Sequence, residues 1–168
     1  MFREMRRNRQ ALSDVENEEI LRRGSYGVLA VSGDNQYPYA VPLNYVYTDG
    51  KLFFHCAKSG HKLDAIARNS RVSFCVVDRD EVVPAKFTTY FRSVIVFGRA
   101  RVLEDAQEKR QAIEQLAEKY VPGDEAGRLQ EIDRAFSRLC MVEIVVDHMT
   151  GKQAVELVPP NSASDGRA

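Results

Sequence analysis

The dipeptide Asp49-Gly50 stands between two apolar, β-rich runs, Tyr37 to Tyr47 and Leu52 to Cys56. Asp-Gly suits a two-residue hairpin turn, because both central residues of that turn need positive φ. The two runs therefore read as antiparallel neighbours. A third run, Tyr26 to Ser32, precedes them and is broken by Gly33-Asp34-Asn35.

The remaining punctuation extends this pattern. Ser13 with Glu16 makes a capping box and Gly24 supplies a stop, which predicts a helix over Asp14 to Arg23. A second helix is predicted from His61 to Asn69. Val72 to Val77 reads as a strand, Asp78 to Pro84 as a charged loop, and Tyr90 to Leu103 as β-rich, with Val94, Val96, Gly98, Ala100 and Val102 on one face. As a single strand that last run would span roughly 45 Å, so a bend is expected, at Gly98. Ile113, Leu116, Ala117 and Tyr120 share a helix face between about Glu104 and Lys119. Val121-Pro122-Gly123 interrupts. Leu129, Ile132, Ala135, Phe136 and Leu139 share the face of a further helix, and Met141 to Val146 returns to strand. Hairpin-linked strands followed by a late return strand favour a mainly β, α+β fold. The order points to an antiparallel barrel with helices at its ends rather than a doubly wound sheet. Residues 1–157 read as one domain, and residues 158–168 as a disordered polar tail.

Composition narrows the function. The 168 residues carry 24 Lys+Arg against 24 Asp+Glu, a net charge of zero. That balance argues against a general nucleic-acid or membrane binder. No apolar run is long enough for a membrane span, and the basic start lacks the apolar core of a signal peptide. Cys56, Cys75 and Cys140 are an odd number at irregular spacing inside apolar stretches. They read as free thiols in a reducing, cytoplasmic setting.

The segment Lys51 to Asn69 carries the chemistry. A short strand leads through Ala57-Lys-Ser-Gly60 into a helix whose first turn holds His61 and Lys62. Cations at a helix start oppose the helix dipole, whereas Arg68 and Arg71 at the other end obey it. A basic first turn becomes favourable when an anion sits there and shares the free backbone N–H groups. Ser59 adds a hydroxyl, and Gly60 removes a side chain where the backbone must approach closely. This pattern points to a phosphate site. A solvated first turn with two incidental cations is the competing reading.

Three segments carry a resemblance. They are Ala40-Val-Pro-Leu-Asn-Tyr45, Leu52-Phe-Phe-His-Cys-Ala-Lys-Ser-Gly-His-Lys-Leu63, and Tyr90-Phe-Arg-Ser-Val-Ile-Val-Phe-Gly-Arg-Ala100. Asn69-Ser-Arg-Val-Ser-Phe74 fits as well. In this order they resemble the flavin-binding split-barrel superfamily of pyridoxamine 5'-phosphate oxidase, and within it the nitroimidazole-resistance branch. The resemblance implies a Greek-key split β-barrel and a homodimer with flavin mononucleotide (FMN) at its interface. It places the phosphate at Ser59, Gly60, His61 and Lys62, where the superfamily often has Arg in place of His61. It places the flavin ring along Val41, Pro42, Leu43, Asn44 and Tyr45, and the ribityl chain beside His55, Cys56 and Ala57. Ser93, with Arg92 as neighbour, aligns with a polar residue that reaches the flavin. Adjacent strand residues face opposite sides, so His55 and Cys56 cannot both enter one site, nor join His61 in a zinc centre.

The implied activity is FMN-dependent reduction of a nitroaromatic, 5-nitroimidazole-like acceptor or a related small electrophile. His55 is the candidate acid catalyst, Ser93, Arg92 and Asn44 the candidate donors, and Tyr45 or Tyr90 possible stacking walls. The alternatives are a flavin- or haem-binding module without turnover, a deazaflavin protein, and a pyridoxamine phosphate oxidase. The last lacks support, because the chain has no Trp and no match to that enzyme's C-terminal Trp and Arg.

Overall fold

The computed structural model describes residues 2–159. Its strands are β1 (Gly27–Ser32), β2 (Pro38–Leu43), β3 (Val46–Thr48), β4 (Lys51–Ala57), β5 (Arg71–Val83), β6 (Thr88–Val102) and β7 (Leu139–Gln153). Its α-helices are α1 (Asp14–Arg23), α2 (His61–Arg68), α3 (Ala106–Tyr120) and α4 (Glu125–Ala135). All seven strands form one sheet in the order β2-β1-β5-β6-β7-β4-β3, and every neighbouring pair is antiparallel.

That order dictates a rolled sheet. β2 and β3 are its two edges, yet only Asn44 and Tyr45 separate them in the chain. The three steps from Leu43 to Val46 reach about 11 Å at most, so the sheet curls until its edges nearly meet. Among the described residues no ladder joins β2 to β3. The barrel is therefore split and antiparallel, in a mixed α+β chain.

Tyr37 to Tyr47 was expected as one strand, and the structure divides it at Asn44-Tyr45. The reason is Tyr120. Its hydroxyl accepts the Tyr45 N–H at 3.0 Å and lies 2.7 Å from Ser25 O and 2.9 Å from Tyr45 O. A side chain thus takes the backbone groups that a ladder would use. The Asp49-Gly50 hairpin forms as read, with φ of 48° and 73°.

Two strands run further than hydropathy indicated. β5 continues through the supposed loop, pairing with β6 as far as Val83↔Thr88. Its charged residues sit on an arm that buries little, so they left no apolar signature. A bulge at Asp78 begins the arm, and Arg23 grips that carboxylate with bonds of 2.8 and 2.7 Å. β7 likewise passes Val146 and reaches Gln153, after a register shift opposite Phe97 and Gly98. The irregularity falls at the expected glycine, where a Cβ would run into Val145 O.

Two apolar clusters hold the fold. Leu29, Leu52, Phe54, Phe74, Val94, Val96 and Ile144 fill the barrel, joined by Ile20 and Leu21 of α1 and by Ala65 and Ile66 of α2. Phe53 and Met141 point the other way and pack under Ala112, Ile113, Leu116 and Ile132 of α3 and α4. β4 is thus covered on both faces along Leu52, Phe53 and Phe54, which explains that apolar run. Not all helices cap barrel ends, as had been expected, because α3 and α4 cover the outer face of β4 and β7. Burying a side chain such as Phe53 contributes about 2 kcal/mol. Among the described residues no helix is long and apolar enough to cross a membrane. The tail expected to be disordered lies, from residue 160 onward, outside the described residues.

Candidate functional site

β4 ends at Ala57, and the exposed residues Lys58, Ser59 and Gly60 lead into α2. Gly60 has φ 135° and ψ 167°. A Cβ there would meet nothing within 4 Å, so backbone conformation, not crowding, calls for glycine. The first bonded amides of α2 are Leu63 and Asp64, both reaching Gly60 O, at 2.9 and 3.2 Å. Nothing caps the helix through a side chain. By contrast, Ser13, Asp105 and Asp124 cap α1, α3 and α4. The amides of His61 and Lys62 therefore face outward with the positive end of the helix dipole, beside Ser59 and the Lys62 ammonium.

The His61 ring is engaged elsewhere. It stacks on Tyr39 with centroids 4.2 Å apart. Its Nε2 lies 3.5 Å from Asp34 Oδ2, an ion-pair distance too long for a hydrogen bond. Asp34 is also held by Arg68 at 2.6 Å. Tyr39 and Asp34 thus hold the His61 ring, while its amide stays at the open start of the helix.

α3 carries a cation, Lys109, that feels the charge of Lys58. Burial, with Lys58 nearby, holds the Lys109 ammonium below the ordinary lysine range. Lys109 Nζ donates to Phe136 O at 2.6 Å and sits 4.2 Å from the centre of that ring. Lys58 and Lys109 are like charges, so Lys58 disfavours the protonated form of Lys109. Sequence reading passed over both. Lys58 lies in the exposed connection, and Lys109 comes from a distant helix with no local signal.

His55 and Cys56 diverge, as strand geometry requires. Cys56 turns toward the barrel opposite Cys140. Its thiol is pushed up to about 11 by burial and by Cys140, against the pull of Lys62. His55 is exposed on the outer face and lines a cavity of about 640 Å³ with Asn44 and the residues Ile113, Leu116, Tyr120 and Ile132 of α3 and α4. That size and apolar lining suit a small planar ligand. Asn44 Nδ2 donates to Ser25 O at 2.8 Å. A second cavity, of about 650 Å³, lies over β1, β5 and β6 between Phe2, Arg71 and Phe97 and contains none of the predicted residues.

The other candidates separate. Val41 and Leu43 pack toward the core while Pro42 is exposed. β2 pairs only with β1, so its other edge keeps backbone groups available. Tyr45 is fully buried. Its hydroxyl donates to Leu21 O at 2.7 Å, and its ring meets Phe74 edge-on at 4.9 Å. The ring is a core element and not a stacking wall. Tyr90 lies out on the β5–β6 arm, where Lys86 Nζ donates to its hydroxyl at 2.7 Å.

Arg92 and Ser93 do not join the cradle. Arg92 pairs with Gln153 and Ala57 with Leu139, so 14 residues of β7 (153 − 139) separate the two places. That is roughly 45 Å along the strand. Arg92 bonds Gln153 Oε1 at 2.9 Å, and its Nε is buried without a partner.

Comparison with known proteins fits this architecture. No curated protein sequence is significantly similar to the chain. Among solved structures, a conserved hypothetical protein from Mycobacterium tuberculosis superposes with a TM-score of 0.79 at 20% identity, covering 97% of this chain and 98% of that one. A candidate 5-nitroimidazole antibiotic resistance protein from Bacteroides thetaiotaomicron gives 0.71 at 22% identity, over 85% and 86% of the two chains. A FAD-binding protein from Mesorhizobium loti gives 0.63 at 25% identity, over 86% and 96%. The family model for pyridoxamine 5'-phosphate oxidase matches residues 13–153. The chain belongs to the pyridoxamine 5'-phosphate oxidase family.

Proposed function

We propose that this protein binds a flavin nucleotide and reduces nitroaromatic or related small electrophiles. The observation that carries the reading is the uncapped start of α2, with Lys58 and Ser59 just before it and Lys62 in its first turn, next to the apolar cavity that holds Asn44 and His55. The cradle suits the phosphate of FMN. The pyrophosphate of FAD, the nucleotide of the Mesorhizobium loti relative, has the same chemistry. The cavity suits a flat ring with one polar edge, and the free edge of β2 offers backbone donors and acceptors to it. No Trp is present, so the reading does not extend to vitamin B6 oxidation.

A bound flavin supplies two-electron transfer. The chain's own residues hold the acceptor and stabilise charge on it. Reduction of a nitro group builds negative charge on oxygen, which hydrogen-bond donors stabilise in a site that excludes water. His55 is the donor best placed in the cavity. The Tyr120 hydroxyl is already committed to Tyr45 and Ser25.

We also propose a homodimer. Arg92 and Ser93 lie far from the cradle in their own chain, and a two-fold partner is the route by which a second β6 reaches it. The outer sheet face offers an apolar surface for that contact, with Val77 54% and Ile95 41% exposed. The free thiols fit a cytoplasmic setting.

One observation favours a second reading. An exposed histidine in an apolar cavity is also what a haem needs for axial ligation. The absorption spectrum of the purified protein separates flavin from haem. Anaerobic reduction of the bound flavin followed by a nitroimidazole then tests turnover. Reoxidation faster than in the acceptor-free control is expected; reoxidation at the control rate leaves a binding module and rejects the reductase.

A further inference from the structure

Cys56 and Cys140 face each other in register across β4 and β7. Directly opposed residues of antiparallel strands have Cα atoms about 4.5 or 5.5 Å apart, with side chains on one face. Disulfides span Cα separations of about 4.4–6.8 Å, so either spacing accommodates one. The Cys140 thiol donates to Met141 O at 3.8 Å, and Cys140 lies near enough to help raise the Cys56 pKa. Both are free; Cys140 is buried and Cys56 half-buried, so reagents reach the pair through Cys56. Cys75 stands apart on β5, opposite Val28 and Ile95.

We propose that Cys56 and Cys140 are a reversible two-electron oxidation site, at which a hydroperoxide closes a cross-strand disulfide. The Cys56 thiolate attacks the peroxide. The O–O bond breaks, alcohol or water leaves, and a sulfenic acid forms on Cys56. The Cys140 sulfur then attacks that sulfur, the S–O bond breaks, and hydroxide leaves with the Cys140 proton as water. Two thiols and one hydroperoxide thus become one disulfide, one water and one alcohol. The bond ties the end of β4, from which the α2 connection emerges, to the start of β7. Burial keeps little of Cys56 as thiolate near neutral pH, so closure accelerates about tenfold per pH unit on approach to its pKa.

The experiment uses the full chain as purified, reduced with dithiothreitol, desalted, and treated with hydrogen peroxide at two pH values. Alkylation under denaturing conditions and peptide mass mapping follow. The expected result is a mass lower by two hydrogens, one alkylated cysteine (Cys75), and a Cys56–Cys140 cross-linked peptide that dithiothreitol releases. Cys75→Ser keeps the closure and Cys56→Ser abolishes it. Three alkylated cysteines, a sulfinic acid on Cys56 without a link, or a link to Cys75 overturns the proposal. The wild-type map alone decides this, whether or not a variant folds, and it reads thiols independently of any flavin.

Discussion

The Tyr45 hydroxyl fills the space that a side chain at Gly24 would need. A Cβ on Gly24 would lie 2.6 Å from that oxygen and 2.8 Å from Val76 Cγ1. Gly24 has φ −59°, a conformation open to any residue, so its requirement is close approach alone. The same hydroxyl donates to Leu21 O at 2.7 Å, which fastens the end of α1 to the β2–β3 connection. Gly24→Ala should cost about 1–3 kcal/mol by overpacking. Adding Tyr45→Phe should recover part of that loss, because it removes the clashing atom. Urea unfolding of both single variants and the double variant measures the coupling; strictly additive effects would contradict the contact.

Tyr120 links α3 to the same connection. Its hydroxyl serves Tyr45 N, Tyr45 O and Ser25 O. Tyr120→Phe leaves part-buried backbone groups unsatisfied and should cost about 1–3 kcal/mol. It should also loosen Asn44, whose amide shares Ser25 O. An unchanged thermal midpoint would show that the clamp is incidental.

Glu143 gives the fold an acid-sensitive joint. Burial raises its pKa, but hydrogen bonds from Lys51 at 2.9 Å and Arg101 at 2.7 Å outweigh this and hold it below the ordinary carboxylate range. With the folded value depressed, its contribution is complete above the unfolded pKa of about 4.3. It is lost as pH falls through the lower folded value. Glu143→Gln should cost about 2 kcal/mol near neutral pH and flatten the stability curve below about pH 4.3. Denaturation midpoints across that range check both effects.

Local chemistry made much of the fold legible. The Ser13–Glu16 capping box, the Asp49-Gly50 turn and the irregularity at Gly98 appear where turn and cap rules place them. What failed was information held at a distance. Tyr45 looks like any strand residue until Tyr120, 75 positions later, takes its N–H. The charged arm of β5 buries almost nothing, so its pairing leaves no hydropathic trace. At the site, the α2 start was readable because its charge opposes the helix dipole. The contacts of the His61 ring with Tyr39 and Asp34 were not readable, and Lys109 was invisible because only tertiary packing brings it near Lys58. Arg92 and Ser93 align by resemblance yet lie on β6, beside the far end of β7, a separation that becomes visible only with the strand register.

In the proposed function, the start of α2 binds the phosphate of a flavin nucleotide. Titrating apoprotein with FMN and with riboflavin, by quenching of flavin fluorescence, tests it directly. FMN should bind at least about tenfold more tightly, and Lys62→Ala should remove about 1.5–3 kcal/mol of FMN affinity while leaving riboflavin unchanged. Equal affinity for the two ligands, unaffected by Lys62→Ala, would contradict the phosphate cradle.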